Sequence, residues 1–211
     1  MIKEFEKRLI SSIILIPTSL FFIVKGSVFF IFFLTVLFLA TSYEWIKMNK
    51  ENDSLKLLGI IFLFISFYTT LEIRENYNLN DFLLIITICI FTDIGGYLFG
   101  NIFKGPKLTR ISPKKTYSGV FGGFLLSLIA GLIFTNYFFI EKKIFNEDLF
   151  LLIIILFISM ISQIGDLIIS FFKRKAKLKD TGKIIPGHGG LLDRIDGMIF
   201  VFPIFYLISI L

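Results

Sequence analysis

Asp193 and Asp196 stand three residues apart with Arg194 between them, so on a helix their carboxylates share one face. Ahead of them runs Pro186-Gly187-His188-Gly189-Gly190, an open-backbone turn holding the chain's one histidine. Two acids on one face behind such a turn suit a hard divalent cation such as Mg2+, which takes carboxylates together with substrate phosphates. The plainer alternative is helix capping with a local ion pair to Arg194. His188 by itself makes no metal cluster and reads as a substrate hydrogen-bonding or structural group. Further upstream, an apolar helical pattern carries Asp166 and ends in Lys173, Arg174, Lys175, Lys177 and Lys179. Lys173 and Arg174 could snorkel to headgroups, which is compatible with binding a phosphate there.

A second stretch, Thr92 to Gly123, has the same character. Asp93 lies in an apolar run, and Lys104, Lys107, Arg110, Lys114 and Lys115 follow it. Ser112-Pro113-Lys114-Lys115-Thr116 places hydroxyls, two ammonium groups and a fixed φ just before the next apolar segment. Ser118 can cap that segment, and Gly119, Gly122 and Gly123 leave its first turn open. A helix start with free N–H groups flanked by lysines suits phosphate. Gly95, Gly96 and Gly100 permit close backbone approach, and packing of helices through small residues explains them equally well.

The elements that must position these groups are membrane helices. Of 211 residues 55% are hydrophobic, gathered into runs of membrane length. The single cysteine, Cys89, lies inside such a run, which excludes a disulfide framework and a zinc cluster. The net charge of +6 fits topology and phosphate binding, not nucleic acid, because lysine and arginine sit in loops beside apolar spans. The first twenty residues resemble a secretory signal only loosely. No small-x-small cleavage site follows, so an uncleaved first helix is expected.

The pattern predicts an all-α polytopic membrane protein with about seven transmembrane helices: 9–24, 28–45, 55–73, 82–100, 119–140, 149–172 and 191–211. One side then holds 18 of the 22 basic residues, in the amino terminus and the loops 46–54, 101–118 and 173–190, with Lys56 and Arg194 nearby. The other side holds Lys25, Arg74, Lys142 and Lys143. The richer side is therefore expected in the cytoplasm. Asp93 and Asp166 both fall about 10–12 Å beneath that surface at helical rise. A mid-span Asp costs about 2.5–3.5 kcal/mol on insertion scales. Apolar neighbours such as Leu83, Leu84, Ile85 and Ile86 recover about 0.3–0.6 kcal/mol each, so neither acid needs a partner in order to insert. Their equal depth beneath two basic, glycine-punctuated loops is what points to function. Glu44 and Trp45 at the end of the second span read as interfacial anchors. An acid cluster below two such loops suits a reaction joining a phosphorylated nucleotide to a lipid headgroup.

At these residues the sequence resembles the phosphatidate cytidylyltransferase (CDP-diacylglycerol synthase) family. Gln163-x-Gly165-Asp166-Leu167, Ser170, Lys173-Arg174, Lys179-Asp180, Pro186 to Gly190, Asp193-Arg194 and Asp196 fall in register with its carboxy-terminal signature. Upstream, Asp93, Tyr97, Gly100, Ser112 to Thr116, Gly119, Gly122 and Gly123 also match. The chain departs at Tyr117-Ser118, where family members usually carry Trp-Glu or a similar pair, and it is shorter than most relatives in its amino-terminal half. The resemblance implies that CTP and phosphatidic acid give CDP-diacylglycerol and pyrophosphate. It implies Mg2+, with or without a second cation, held by Asp166, Asp193 and Asp196 with Asp93 completing the acidic cavity. Asp166, Asp193, Lys173, Arg174, Lys179 and Asp180 would form the catalytic set. Ser112, Lys114, Lys115, Thr116, Gly122, Gly123, Ser170, His188, Gly189, Gly190 and Arg194 would bind substrate.

The resemblance further suggests a bacterial inner-membrane protein among membrane lipids, the charge count puts its active-site loops on the cytoplasmic face, and a homodimer is left open. Residues 1–81 would then be amino-terminal helices without identifiable chemistry. Residues 82–211 would be the catalytic domain, with signature loops at 101–118 and 173–196. Three alternatives stand beside this reading. A CTP-dependent transferase acting on another phosphorylated lipid would share every site residue. A transporter should show an inverted repeat or paired broken helices. A CDP-alcohol phosphotransferase should show a spaced aspartate–glycine motif.

Overall fold

The computed structural model describes residues 2–109, 111–138 and 148–210. Among them every regular element is a helix: α1 (Ile2–Lys25), α2 (Ser27–Met48), α3 (Asp53–Asn76), α4 (Leu79–Phe103), α5 (Tyr117–Phe138), α6 (Asp148–Lys175), α7 (Leu192–Ile195) and α8 (Met198–Ile210). Helices are what apolar runs of this length must form, since hydrocarbon offers no partner for a free N–H or C=O. Six are long and apolar enough to cross a membrane: Glu6–Lys25, Ser27–Met48, Asp53–Asn76, Leu79–Phe103, Tyr117–Phe138 and Leu149–Lys175. The protein is an all-α polytopic membrane protein. Arg110, Lys142, Lys143 and the loop from Glu141 lie outside the described residues.

The predicted seventh span differs in detail. It is divided into the four-residue α7 and the 13-residue α8. Asp196 Oδ1 accepts the amide of Gly197 at 3.0 Å, a local bond that competes with the helical ladder. Pro203 lies inside α8.

The chain forms two compact units, Met1–Tyr77 with Phe172–Leu211, and Asn78–Phe171. In the first, α1 turns into α2 through Gly26, whose φ of 64° favours glycine. Arg74 of α3 donates to the carbonyls of Ile23 (2.8 Å) and Val24 (3.3 Å), and Glu75 accepts from the amide of Ser27 at 2.9 Å. Opposite charges thus satisfy the end of α1 and the start of α2. Trp45 of α2 lies against Gly59 of α3 and donates its indole N–H to Leu55 O at 2.9 Å. It also meets Phe172 edge-on at 5.1 Å. The anchor reading of Trp45 is therefore corrected: the ring is buried and fixes the packing of α2 on α3. Ser66 of α3 donates to Ile199 O in α8 at 2.7 Å.

In the second unit α4 and α5 pack backbone to backbone. A Cβ on Gly95 would fall 2.2 Å from Gly122 O, and one on Gly119 2.7 Å from Gly96 O. The small-residue reading is the one observed. Thr92 of α4 donates to Ser159 of α6 at 2.8 Å, a polar tie inside the bundle.

Candidate active site

In the first unit the signature closes on one buried ion pair. Lys173, in the last turn of α6, places Nζ 2.8 Å from Asp193 Oδ1 and 3.9 Å from Asp196 Oδ2. The Lys173 and Asp193 side chains are 10% and 5% exposed. Asp193 Oδ2 accepts two backbone amides, Thr181 at 2.9 Å and Gly190 at 3.0 Å. The i, i+3 spacing thus aims both acids at one ammonium, as the shared face requires. Asp193 also caps locally through Gly190, but its ion-pair partner is Lys173. Arg194 instead donates to His188 O, at 2.6 and 3.2 Å. Lys179 and Asp180 are exposed, and Arg174 donates to Leu178 O at 2.9 Å.

The Pro186–Gly190 turn is held by α1. Gly187 (φ 77°) and Gly189 (φ 89°) adopt the left-handed conformation that a side chain would strain. Ile185 N donates to Gly189 O and His188 N to Ile185 O, both at 3.0 Å. Arg8 Nε donates to Gly187 O at 2.8 Å. Ser11 Oγ lies 3.2 Å from Pro186 O and 2.8 Å from His188 Nδ1, and Ser12 Oγ lies 3.5 Å from Nε2. Desolvation, then the charges of Arg194 and Arg8, push the imidazole below its ordinary pKa, against a smaller opposing pull from the Pro186 backbone. Gly190 spends its N–H on Asp193, which removes that amide from the groups available to a substrate.

Glu44 is the residue that sequence reasoning missed. The residue is 1% exposed, and its carboxylate accepts from Leu191 N (3.0 Å), Leu192 N (2.9 Å) and Thr181 Oγ1 (2.9 Å). It is no interfacial anchor. A polar residue at an apolar span's end carries no local mark of partners nearly 150 residues away. The only available signal was an acid preceding Trp45 by one residue, and that pairing is common at membrane surfaces.

The second unit holds the other half of the predicted set. Lys115 forms an ion pair with Asp166 of α6, and Ser170 donates to Asp166 Oδ1 at 3.3 Å. Lys115 is presented by a small folded loop. Its amide donates to Ser112 O (3.0 Å), its carbonyl accepts Leu108 N (2.8 Å), and Tyr117 N donates to Pro106 O (3.1 Å). Asp166 and Asp93 lie nine and ten residues before their helix ends, about 14 and 15 Å at helical rise. Asp93 and Lys114 are exposed.

Two expectations for the start of α5 are corrected. Thr116, not Ser118, caps it, accepting Gly119 N at 3.1 Å, while Ser118 shares a hydrogen bond with Thr116 at 2.9 Å. Nor is the first turn open. A Cβ on Gly122 would fall 2.3 Å from Phe99, and one on Gly123 3.1 Å from Thr92 O. Both glycines admit α4, and neither presents free backbone to a phosphate.

For a cation, Asp193 and Asp196 are the suitable donors in the first unit. Within either unit no three His, Cys, Asp or Glu side chains among the described residues gather into a metal-sized group. Two carboxylates are nevertheless what Mg2+ uses when substrate phosphates and water complete its shell. The Lys173 ammonium already rests beside both, so the position accommodates positive charge.

Residues 55–211 match the model of the Cytidylyltransferase family. The chain belongs to that family. It is 36% identical over 207 residues to the phosphatidate cytidylyltransferase of Rickettsia bellii, covering 96% of this chain and 89% of that one. With the Rickettsia felis enzyme of the same name it shares 35% over 211 residues, 97% and 92% of the two chains. With the Staphylococcus saprophyticus enzyme of that name it shares 38% over 178 residues, 82% of this chain and 66% of the relative. The family segment contains Lys173, Asp193 and Asp196 but begins after Arg8, Ser11 and Glu44, which the structure nonetheless ties to it.

Proposed function

We propose that this protein transfers the cytidylyl group of CTP to phosphatidic acid, releasing pyrophosphate and forming CDP-diacylglycerol. The observation that carries the reading is the 36% identity to a relative named phosphatidate cytidylyltransferase, in a match that runs along 96% of this chain. In the reaction an oxygen of the lipid phosphate attacks the α-phosphorus of CTP. The bond from that phosphorus to the bridging oxygen breaks, and pyrophosphate takes the electron pair. The attacking phosphate is already ionised, so no strong general base is needed and none is assigned.

Asp193 and Asp196 would hold Mg2+; on the resemblance alone, Asp166 and Asp93 are proposed to add carboxylates. A cation held by these residues would supply neutralisation of phosphate charge and so favour departure of pyrophosphate. Lys173 and Lys115 each pair with a carboxylate, of Asp193 and of Asp166. A phosphate and a divalent cation arriving together would replace both kinds of pairing without leaving a charge alone, which is a physical reason for poising a lysine beside each acid. Lys114, Arg174 and Lys179 are exposed and suited to meet further phosphate oxygens.

The protein is integral to the membrane. Its assignment to a bacterial inner membrane, with the signature loops on the cytoplasmic face, is supported by the 18 basic residues of that side. A homodimer is proposed on the resemblance and is tested by the mass of the detergent complex. The decisive assay incubates purified protein with labelled CTP and phosphatidic acid, and label should enter the chloroform phase only with Mg2+. Label that stays in water for phosphatidic acid but moves with another phosphorylated lipid would reassign the acceptor. Label that stays in water with every lipid would end the proposal.

A further inference from the structure

We infer that Glu44, on α2 and outside the family segment, is a positioning residue that sets Asp193 and Asp196 for the reaction; the inference rests on the activity proposed above. The geometry is specific to a carboxylate. Oε1 accepts Leu191 N at 3.0 Å, while Oε2 accepts Leu192 N at 2.9 Å and the Thr181 hydroxyl at 2.9 Å. Both oxygens thus face backbone N–H groups, which can only donate. A glutamine must turn its NH2 toward one of them, so a shape-preserving amide cannot reproduce the site.

The turn is cut to admit this side chain. A Cβ on Gly182 would fall 2.3 Å from Glu44 Oε1, and one on Gly190 would fall 2.6 Å from Oε2 and 2.0 Å from Thr181 Oγ1. A side chain at either glycine would therefore displace the Glu44 carboxylate, and at Gly190 the Thr181 hydroxyl as well. The consequence passes directly to the acids. Glu44 binds the amides at 191 and 192, Asp193 is the next residue, and Asp193 Oδ2 binds the amides at 181 and 190. Thr181 is gripped by both, its N–H by Asp193 and its hydroxyl by Glu44. Glu44 touches no substrate in this account, and it acts by fixing the backbone that carries the acids.

The test compares wild type, Glu44→Gln and the milder Thr181→Val in the full-length protein in nanodiscs. Turnover, the KM for CTP, the Mg2+ concentration for half-maximal rate, and amide hydrogen exchange of peptides spanning 181–196 are measured. For Glu44→Gln we expect kcat to fall at least about tenfold, as for loss of a charge-assisted bond. KM for CTP should stay within about twofold, and the Mg2+ requirement should rise several-fold, because the acids and not the nucleotide contacts are displaced. Leu191 and Leu192 should exchange faster. Wild-type kcat in a folded Glu44→Gln protein overturns the inference, as does a fall in kcat with unchanged exchange at 191 and 192. Should Glu44→Gln fail to fold, Thr181→Val decides. Faster exchange with a few-fold loss of kcat supports the inference, and wild-type behaviour in both overturns it. A wild type that never consumes CTP sinks the proposed reaction instead, and exchange alone then judges whether Glu44 fixes the turn.

Discussion

At the scale of single residues, Asp193 does two jobs that one substitution separates poorly but two measurements separate well. It is paired with Lys173 where both side chains are at least nine-tenths buried, so Asp193→Asn leaves the ammonium with only the more distant Asp196 carboxylate, at 3.9 Å. Breaking a buried pair costs about 3–5 kcal/mol, and the melting temperature of the detergent-purified variant should fall. Replacing both partners, Lys173→Met with Asp193→Asn, should restore much of that stability while cytidylyl transfer stays at least about 100-fold down, the scale for losing one electrostatic stabiliser. Activity returning with stability would show that the pair only holds the fold. His188 gives a second prediction. Its pKa lies below the ordinary 6.5, so the folded protein favours neutral imidazole. That stability is fully present above pH 6.5 and is lost as pH falls through the lower folded value. Melts at pH 8 and pH 5 should therefore differ more for wild type than for His188→Asn, and equal differences would remove histidine from the account. The types and spacing of Lys173, Asp193 and Asp196 were legible in sequence because a three-residue interval fixes a helix face. Which cation meets that face was not, since Lys173 comes from another helix.

At the scale of elements, the glycines of α4 and α5 divide into those that tolerate a methyl group and those that do not. A Cβ on Gly95 would meet the backbone of Gly122 at 2.2 Å, and a backbone cannot step aside. One on Gly96 would sit 3.8 Å from Gly119 O, an ordinary contact. Gly95→Ala should thus lower the thermal midpoint markedly, since overpacking costs about 1–3 kcal/mol or more, while Gly96→Ala should leave it nearly unchanged. Equal effects would mean that the interface is not backbone on backbone. Sequence showed that these glycines allow close approach but not what approaches. Both readings, helix packing and an open phosphate cradle, use the same missing side chain, and only the facing element distinguishes them. Hydrophobic runs placed six helices with edges shifted by a few residues. The division of the last run at Asp196-Gly197 escaped because apolarity continues across it.

At the scale of the whole chain, topology follows from charge and from whether the divided last segment still crosses. Asp196, where α7 gives way to α8, keeps helical backbone (φ −58°, ψ −33°), and a crossing requires the same rise to continue through Gly197. Leu192 to Ile210 then amounts to about 28 Å at 1.5 Å per residue, close to the roughly 30 Å hydrocarbon core. Neither α7 nor α8 alone would suffice. Of the four basic residues on the sparse side, Arg74 is already committed to the carbonyls of Ile23 and Val24, which leaves that face still poorer in free cations. Single cysteines in a Cys89→Ala background should therefore label with a membrane-impermeant maleimide in two groups. Lys50→Cys and Lys177→Cys should react only in inverted vesicles, and Asn76→Cys and Ser209→Cys only in intact spheroplasts. Labelling of Ser209→Cys together with Lys177→Cys would show that the last segment turns back instead of crossing. Labelling of Asn76→Cys together with Lys50→Cys would break the alternation on which the 18-to-4 asymmetry rests, and with it the placement of the signature loops beside the water-soluble nucleotide.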